Sequence, residues 1–209
     1  MQLDELVSEV AKRVQASLAP SFEIEASGRH VHLSQEHIDC LFGEGYQLNP
    51  TKYLSQPGQF AARERVTLVG KNGTLHNVII LGPARSQSQV EISLTDARSI
   101  GEKVPLRLSG DIAGTPGIMI MNGSKSVVLS EGLIIAKRHI HVNDKDAERL
   151  NVTDREVVKV RTCSERPLIF DDVVVRISPK FETFMHIDYD EANACGFTKG
   201  TQGIIVKEG

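Results

Sequence analysis

One six-residue phrase is written twice in this chain: Arg29-His30-Val31-His32-Leu33-Ser34 and Arg138-His139-Ile140-His141-Val142-Asn143. His30 and His139 stand 109 residues apart, as do His32 and His141, and the two phrases hold four of the seven histidines. In an extended strand, residues i and i+2 point to the same face, so each His-x-His presents two imidazoles side by side. Any fold adopted by the chain must place one such pair in each half. Imidazole suits zinc and similar transition metals, and catalytic sites take three protein ligands with a position left open. Two pairs therefore point to one metal centre or two.

Completing either centre needs more donors. His186 lies in Phe184-Met185-His186-Ile187-Asp188, an apolar setting for a lone histidine, and Glu91 lies in the strand-like Gln89-Val90-Glu91-Ile92-Ser93. Spacing alone leaves Glu91 open to a solvent-facing reading and His186 to that of a core histidine. His37 falls in a helix and His76 after a turn, so neither is expected to bind metal. Upstream of Glu91, Gly82-Pro83-Ala84-Arg85 presents a guanidinium beside small polar residues. That arrangement suits an oxyanion held in a bidentate fork.

The rest of the chain reads as mainly β. Short β-branched runs such as Val66–Val69, Val78–Leu81, Val104–Leu108 and Val157–Val160 are separated by turns at Asn72-Gly73, Gly82-Pro83, Ser109-Gly110 and Asn122-Gly123. After each His-x-His comes a cap and a short helix: Ser34 before 35–42 with Gly43 at its end, and Asn143 before 144–150. Strand, cap and helix thus recur together, which predicts two β-barrel halves related by an internal repeat and decorated by short helices. Residues 1–18 form a separate amphipathic pattern, with Leu3, Leu6, Val7, Val10, Val14 and Leu18 at helical spacing before Pro20.

Bulk properties exclude several roles. The net charge of −3 gives no reason to bind nucleic acid, and no apolar run approaches the roughly 18 residues of a membrane span. The start of the chain has no basic region followed by an apolar core, so a secretory signal is not expected. Three cysteines, Cys40, Cys163 and Cys195, without C-x-x-C spacing predict a reduced cytoplasmic protein, with Cys40 and Cys195 as buried apolar residues rather than acyl carriers.

Taken together, the blocks Ser27–Ser34, Gly82-Pro83-x-Arg85 with Gln89–Ser93, Arg138–Val142 and Met185–Asp188 resemble the phosphate propanoyltransferases, a family of phosphotransacylases. The resemblance runs from about Ser21 to the C-terminus. It implies two β-barrel domains, 29–136 and 19–28 with 137–209, and two zinc ions per chain. The first zinc would be held by His30, His32 and Glu91, the second by His139, His141 and His186, with Arg85 gripping phosphate as the catalytic arginine. It further implies interconversion of acyl-CoA plus phosphate with acyl phosphate plus coenzyme A, and a homodimer. Residues 1–18 would be a peptide that docks the enzyme to shell or core proteins in the lumen of a bacterial microcompartment. Two rivals remain at this point: a zinc-dependent thioesterase or other hydrolase, and a noncatalytic metal-binding component of such a compartment.

Overall fold

Short runs of β-branched residues between tight turns become strands, and the capped segments become helices of two turns or fewer. The structure is a computed structural model that describes residues 19–206 and, ahead of them, Val7. The helix expected over residues 1–18 otherwise lies outside the described residues. In chain order the elements are β1 (Ser21–Ser27), β2 (His30–His32), α1 (Gln35–Phe42), β3 (Pro50–Tyr53), β4 (Phe60–Val69), β5 (Thr74–Gly82), β6 (Gln89–Glu91) and α2 (Leu94–Ser99). There follow β7 (Leu106–Arg107), β8 (Met119–Asn122), β9 (Lys125–Val128), β10 (Leu133–Ala136), β11 (His139–Val142) and α3 (Asp144–Leu150). The last are β12 (Val157–Cys163), β13 (Ile169–Ile177), β14 (Phe184–Asp188), α4 (Tyr189–Ala194) and β15 (Gln202–Val206).

Each cap forms at its expected place. The Ser34 side chain accepts from the backbone N–H of His37, and that of Asn143 from Lys145, satisfying donors the first helical turn leaves open. The α1 helix ends at Gly43 with φ of 120°, a backbone conformation that favours glycine.

Six strands close a barrel in the order β1-β14-β11-β13-β12-β15, and nine form a second sheet. The second sheet runs β7-β10-β6-β2-β5-β4-β8-β9, with β3 beside β4, and does not close. The expectation of two barrels is thus met by one barrel and one open sheet. The end strands of that sheet are β7 and β9, which do not pair with each other. The N–H groups of Leu133 and Ile135 on β10 donate to the carbonyls of Pro116 and Pro105.

Pairing in the two units follows one pattern. His30 lies opposite Glu91 on one side and Ile79 on the other, and His139 lies opposite His186 and Val174. Each unit also takes the strand that leads into the other's His-x-His. β1 runs into β2 but pairs with β14 in the barrel, and β10 runs into β11 but pairs with β6 in the sheet. Crossing strands of this kind tie two separate apolar cores together. One is built around Val31, Leu41, Ile80 and Ile120, the other around Ile24, Ile140, Val160 and Met185.

Ile24 is fully buried and sits on the exchanged strand β1. Truncation of such a residue costs roughly 2–5 kcal/mol, so Ile24→Ala should lower the unfolding free energy obtained from chemical denaturation by that amount. A loss below about 1 kcal/mol would mean that β1 is not anchored in the barrel core.

Candidate metal and anion site

β2 and β6 bring the first three donors together. His30 Nε2 lies 3.4 Å and His32 Nε2 3.9 Å from the carboxylate of Glu91. The other ring nitrogens point to backbone. His30 Nδ1 is 2.8 Å from the Gly28 carbonyl and His32 Nδ1 is 3.2 Å from that of Leu81. A carbonyl only accepts, so each Nδ1 carries a proton and each Nε2 is the ring atom left to face Glu91. Glu91 is itself held in place: Ser109 Oγ donates to Oε1 at 2.9 Å, and Gln89 Nε2 donates to the same oxygen. Gln89 is fixed in turn by the Gly110 N–H at 2.8 Å.

The barrel repeats the arrangement with a third histidine where the sheet has the glutamate. His139, His141 and His186 have ring centroids 4.7–5.2 Å apart, and His139 Nδ1 donates to the Lys137 carbonyl at 2.9 Å. In each triad one ligating atom per residue lies within 4.8 Å of the other two. His141 Nδ1 and His186 Nε2 are buried without a hydrogen-bond partner. A buried nitrogen left in that condition costs free energy, and a metal ion bound there would remove the deficit. Both donor sets therefore fit a tetrahedral ion such as zinc, one through two imidazoles and a carboxylate, the other through three imidazoles.

Two capping boxes hold the triads' far strands. Ser93 and Asp96 cap α2, and Asp188 and Glu191 cap α4. The arginine that opens each repeated phrase reaches the acidic member of a box: Arg29 contacts Asp96 at 3.3 Å, and Arg138 contacts Glu191 at 2.7 Å. These arginines are thus structural ties, a role that spacing did not disclose.

The triads share a cleft of about 850 Å³ lined by His30, Glu91, His139, His141 and His186. Arg85 also lines it, carried on a loop pinned by the Arg85 N–H to the Leu33 carbonyl at 2.9 Å. A second guanidinium, Arg176, stands on β13 opposite His141 and over the Phe181 ring, which stacks on His141 at 4.1 Å. Sequence reasoning missed Arg176, since one arginine in the run Val173–Ile177 carries no signal until strand pairing sets it beside a ligand. His37 instead bonds Ser88 at 2.7 Å, and His76 contacts Thr67 and Thr74, so neither joins the site. Cys195 is buried as expected, whereas Cys40 is exposed on α1, because the helix turns its apolar face, with Ile38 and Leu41, inward.

A model of the phosphate propanoyltransferase family matches residues 23–198. Proteins named phosphate propanoyltransferase are similar over nearly the whole chain. That of Enterococcus faecalis is 59% identical over 205 residues, covering 98% of this chain and 97% of its own. The Listeria monocytogenes protein is 58% identical, covering 97% and 94%, and that of Thermotoga maritima is 51% identical, covering 90% of each.

Burial dominates the titration of the histidines. It depresses His32 to about 3, His141 to about 2 and His186 to about 3, and lowers His139 as well. His30 moves the other way. Burial lowers it most strongly, but attraction and hydrogen bonding to Glu91 together outweigh burial. Glu91 is correspondingly held far below the usual carboxylate range, mainly by His30, despite burial that would raise it. A histidine with a depressed pKa binds its proton in the unfolded chain first, so it destabilises the fold as pH falls below about 6.5. Four lowered histidines oppose one raised one. Metal-free protein should therefore lose thermal stability steadily from pH 6.5 toward pH 3, and His141→Gln should flatten that slope. Stability that holds or rises over this window would contradict the assignment of neutral, buried imidazoles.

Proposed function

The chain belongs to the phosphate propanoyltransferase family, and we propose that it interconverts acyl-CoA plus phosphate with acyl phosphate plus coenzyme A in the cleft between barrel and sheet. The observation that carries this reading is the convergence of two triads of metal-ligand chemistry and two guanidiniums on one cleft. His30, His32 and Glu91 would hold one zinc ion, and His139, His141 and His186 the other. Bound there, such ions supply Lewis acidity at a carbonyl or phosphate oxygen and a template for two reactants.

The protein's own groups do the remaining work. In the forward direction an oxygen of hydrogen phosphate attacks the thioester carbonyl carbon, a C–O bond forms and the C–S bond breaks. The phosphate proton ends on the departing thiol, so no strong base is required. The difficulty is to bring two anions together in the right orientation, a matter of positioning and charge. Arg85 suits the phosphate, because a guanidinium fork matches two of its oxygens. Arg176 adds a second positive charge from the opposite wall. Cys195, buried with its thiol pKa raised by desolvation, is poorly placed to carry an acyl group.

We further read residues 29–136, and 19–28 with 137–209, as two related barrel-derived domains, and the enzyme as a homodimer. The apolar stripe of residues 1–18 supports a docking helix for proteins of a bacterial microcompartment, whose lumen would be its location.

The decisive assay is release of free CoA from acetyl-, propanoyl- and butanoyl-CoA with and without phosphate. Release should require phosphate and yield acyl phosphate; equal release without phosphate would favour a thioesterase. Loss of a charge-assisted bidentate contact is worth about 1.5–3 kcal/mol. Arg85→Ala should therefore raise the phosphate KM about tenfold to a hundredfold, with the acyl-CoA KM little changed. An unaltered phosphate KM would remove Arg85 from that role.

A further inference from the structure

Arg85 faces two hollows. One is the large cleft; the other is a recess of about 290 Å³ lined by His32, Arg85, Pro57, Gly58, Gln59 and Pro83. The recess falls at the lower limit for drug-sized ligands, roughly 300–1,000 Å³, so a nucleotide-bearing cofactor belongs in the cleft. The two hollows also differ in charge. The cleft mixes carboxylates, Glu23, Glu25, Asp96 and Asp188 besides Glu91, with the cations Arg29, Lys52, Lys137, Arg176 and Lys199, whereas among the described residues Arg85 is the one Arg or Lys lining the recess and no carboxylate lines it.

That difference matters for the order in which two anions meet. An acyl-CoA seated in the cleft fills it and offsets the cations on the walls with its own phosphates. A phosphate dianion following by the same path is obstructed and repelled. Through the recess it passes prolines and glycines, meets no acid, and reaches the Arg85 guanidinium beside His32. We infer that the recess is a separate port by which inorganic phosphate reaches the site while acyl-CoA occupies the cleft. The inference rests on the phosphotransacylase reading and adds a route to it.

Gly58 offers a clean test. Its φ is +77°, and a Cβ placed there meets no atom within 4 Å. Asn and Asp are the side chains that best tolerate such a backbone, and they differ by one charge at nearly equal size. Gly58→Asp should raise the phosphate KM about fivefold over Gly58→Asn, and the gap should narrow as salt is added. The acyl-CoA KM and the preference among acyl lengths should be the same in both variants. In a second experiment, inorganic phosphate is titrated by phosphorus NMR into metal-loaded enzyme saturated with a CoA analogue lacking the thiol. Phosphate should still bind. Displacement of phosphate by the analogue, or equal phosphate KM values in the two variants, would overturn the port. A shift in acyl-length preference with an unmoved phosphate KM would also overturn it, by making the recess an acyl pocket. Release of CoA by the unmodified enzyme without phosphate would instead sink the underlying reading, whichever way the variants behave.

Discussion

Drawing an imidazole out of water penalises its charged form, and this fold draws five of them into one region around the buried carboxylate of Glu91. The burden is met by assigning each ring nitrogen a task. Backbone carbonyls of Gly28, Leu81 and Lys137 take the Nδ1 protons of His30, His32 and His139. The opposite nitrogens are left as lone-pair donors. Where no carbonyl is present, at His141 Nδ1 and His186 Nε2, the deficit remains and a cation is the natural partner. Ligand orientation, the depressed pKa values and the fit to metal all follow from this division.

The exchange of strands places these donors. Because β1 lies beside β14 and β10 beside β6, each triad is braced by a strand that leads directly into the other His-x-His. Glu25 is paired with His186, and Ile134 with Glu91. A shift of one unit against the other would break ladder hydrogen bonds in both at once. The two triads face each other across a cleft that neither unit could form alone, and Glu91 is close enough to act electrostatically on His139 and His186. The sheets are thus the means by which residues 109 apart in sequence come to share one site.

Much of this was legible before any coordinates. Period-two spacing put His30 and His32 on one face, caps at Ser34 and Asn143 marked helix starts, and Asn-Gly pairs at 72–73 and 122–123 marked hairpins. Such features are local, governed by a few neighbouring dihedrals. What escaped was set by register at long range. Arg176 becomes a site residue only through pairing with His141, and Ser109 only through its bond to Glu91. The open edges of the sheet, at β7 and β9, are likewise set by which distant strands pair. Cys40 went astray for a simpler reason: on a helix of two turns, one residue's rotation decides burial.

The central claim is that the two triads are separate metal sites. The most direct test is elemental analysis of purified protein together with single-ligand variants in each unit. Wild-type protein should hold about two zinc ions per chain. His32→Ala and His141→Ala should each hold about one, with the remaining ion in the other triad by X-ray absorption, its shell being three imidazoles in the first variant and two imidazoles with a carboxylate in the second. A metal-free chain with full activity, or loss of both ions from either variant alone while the protein stays folded, would contradict two independent centres.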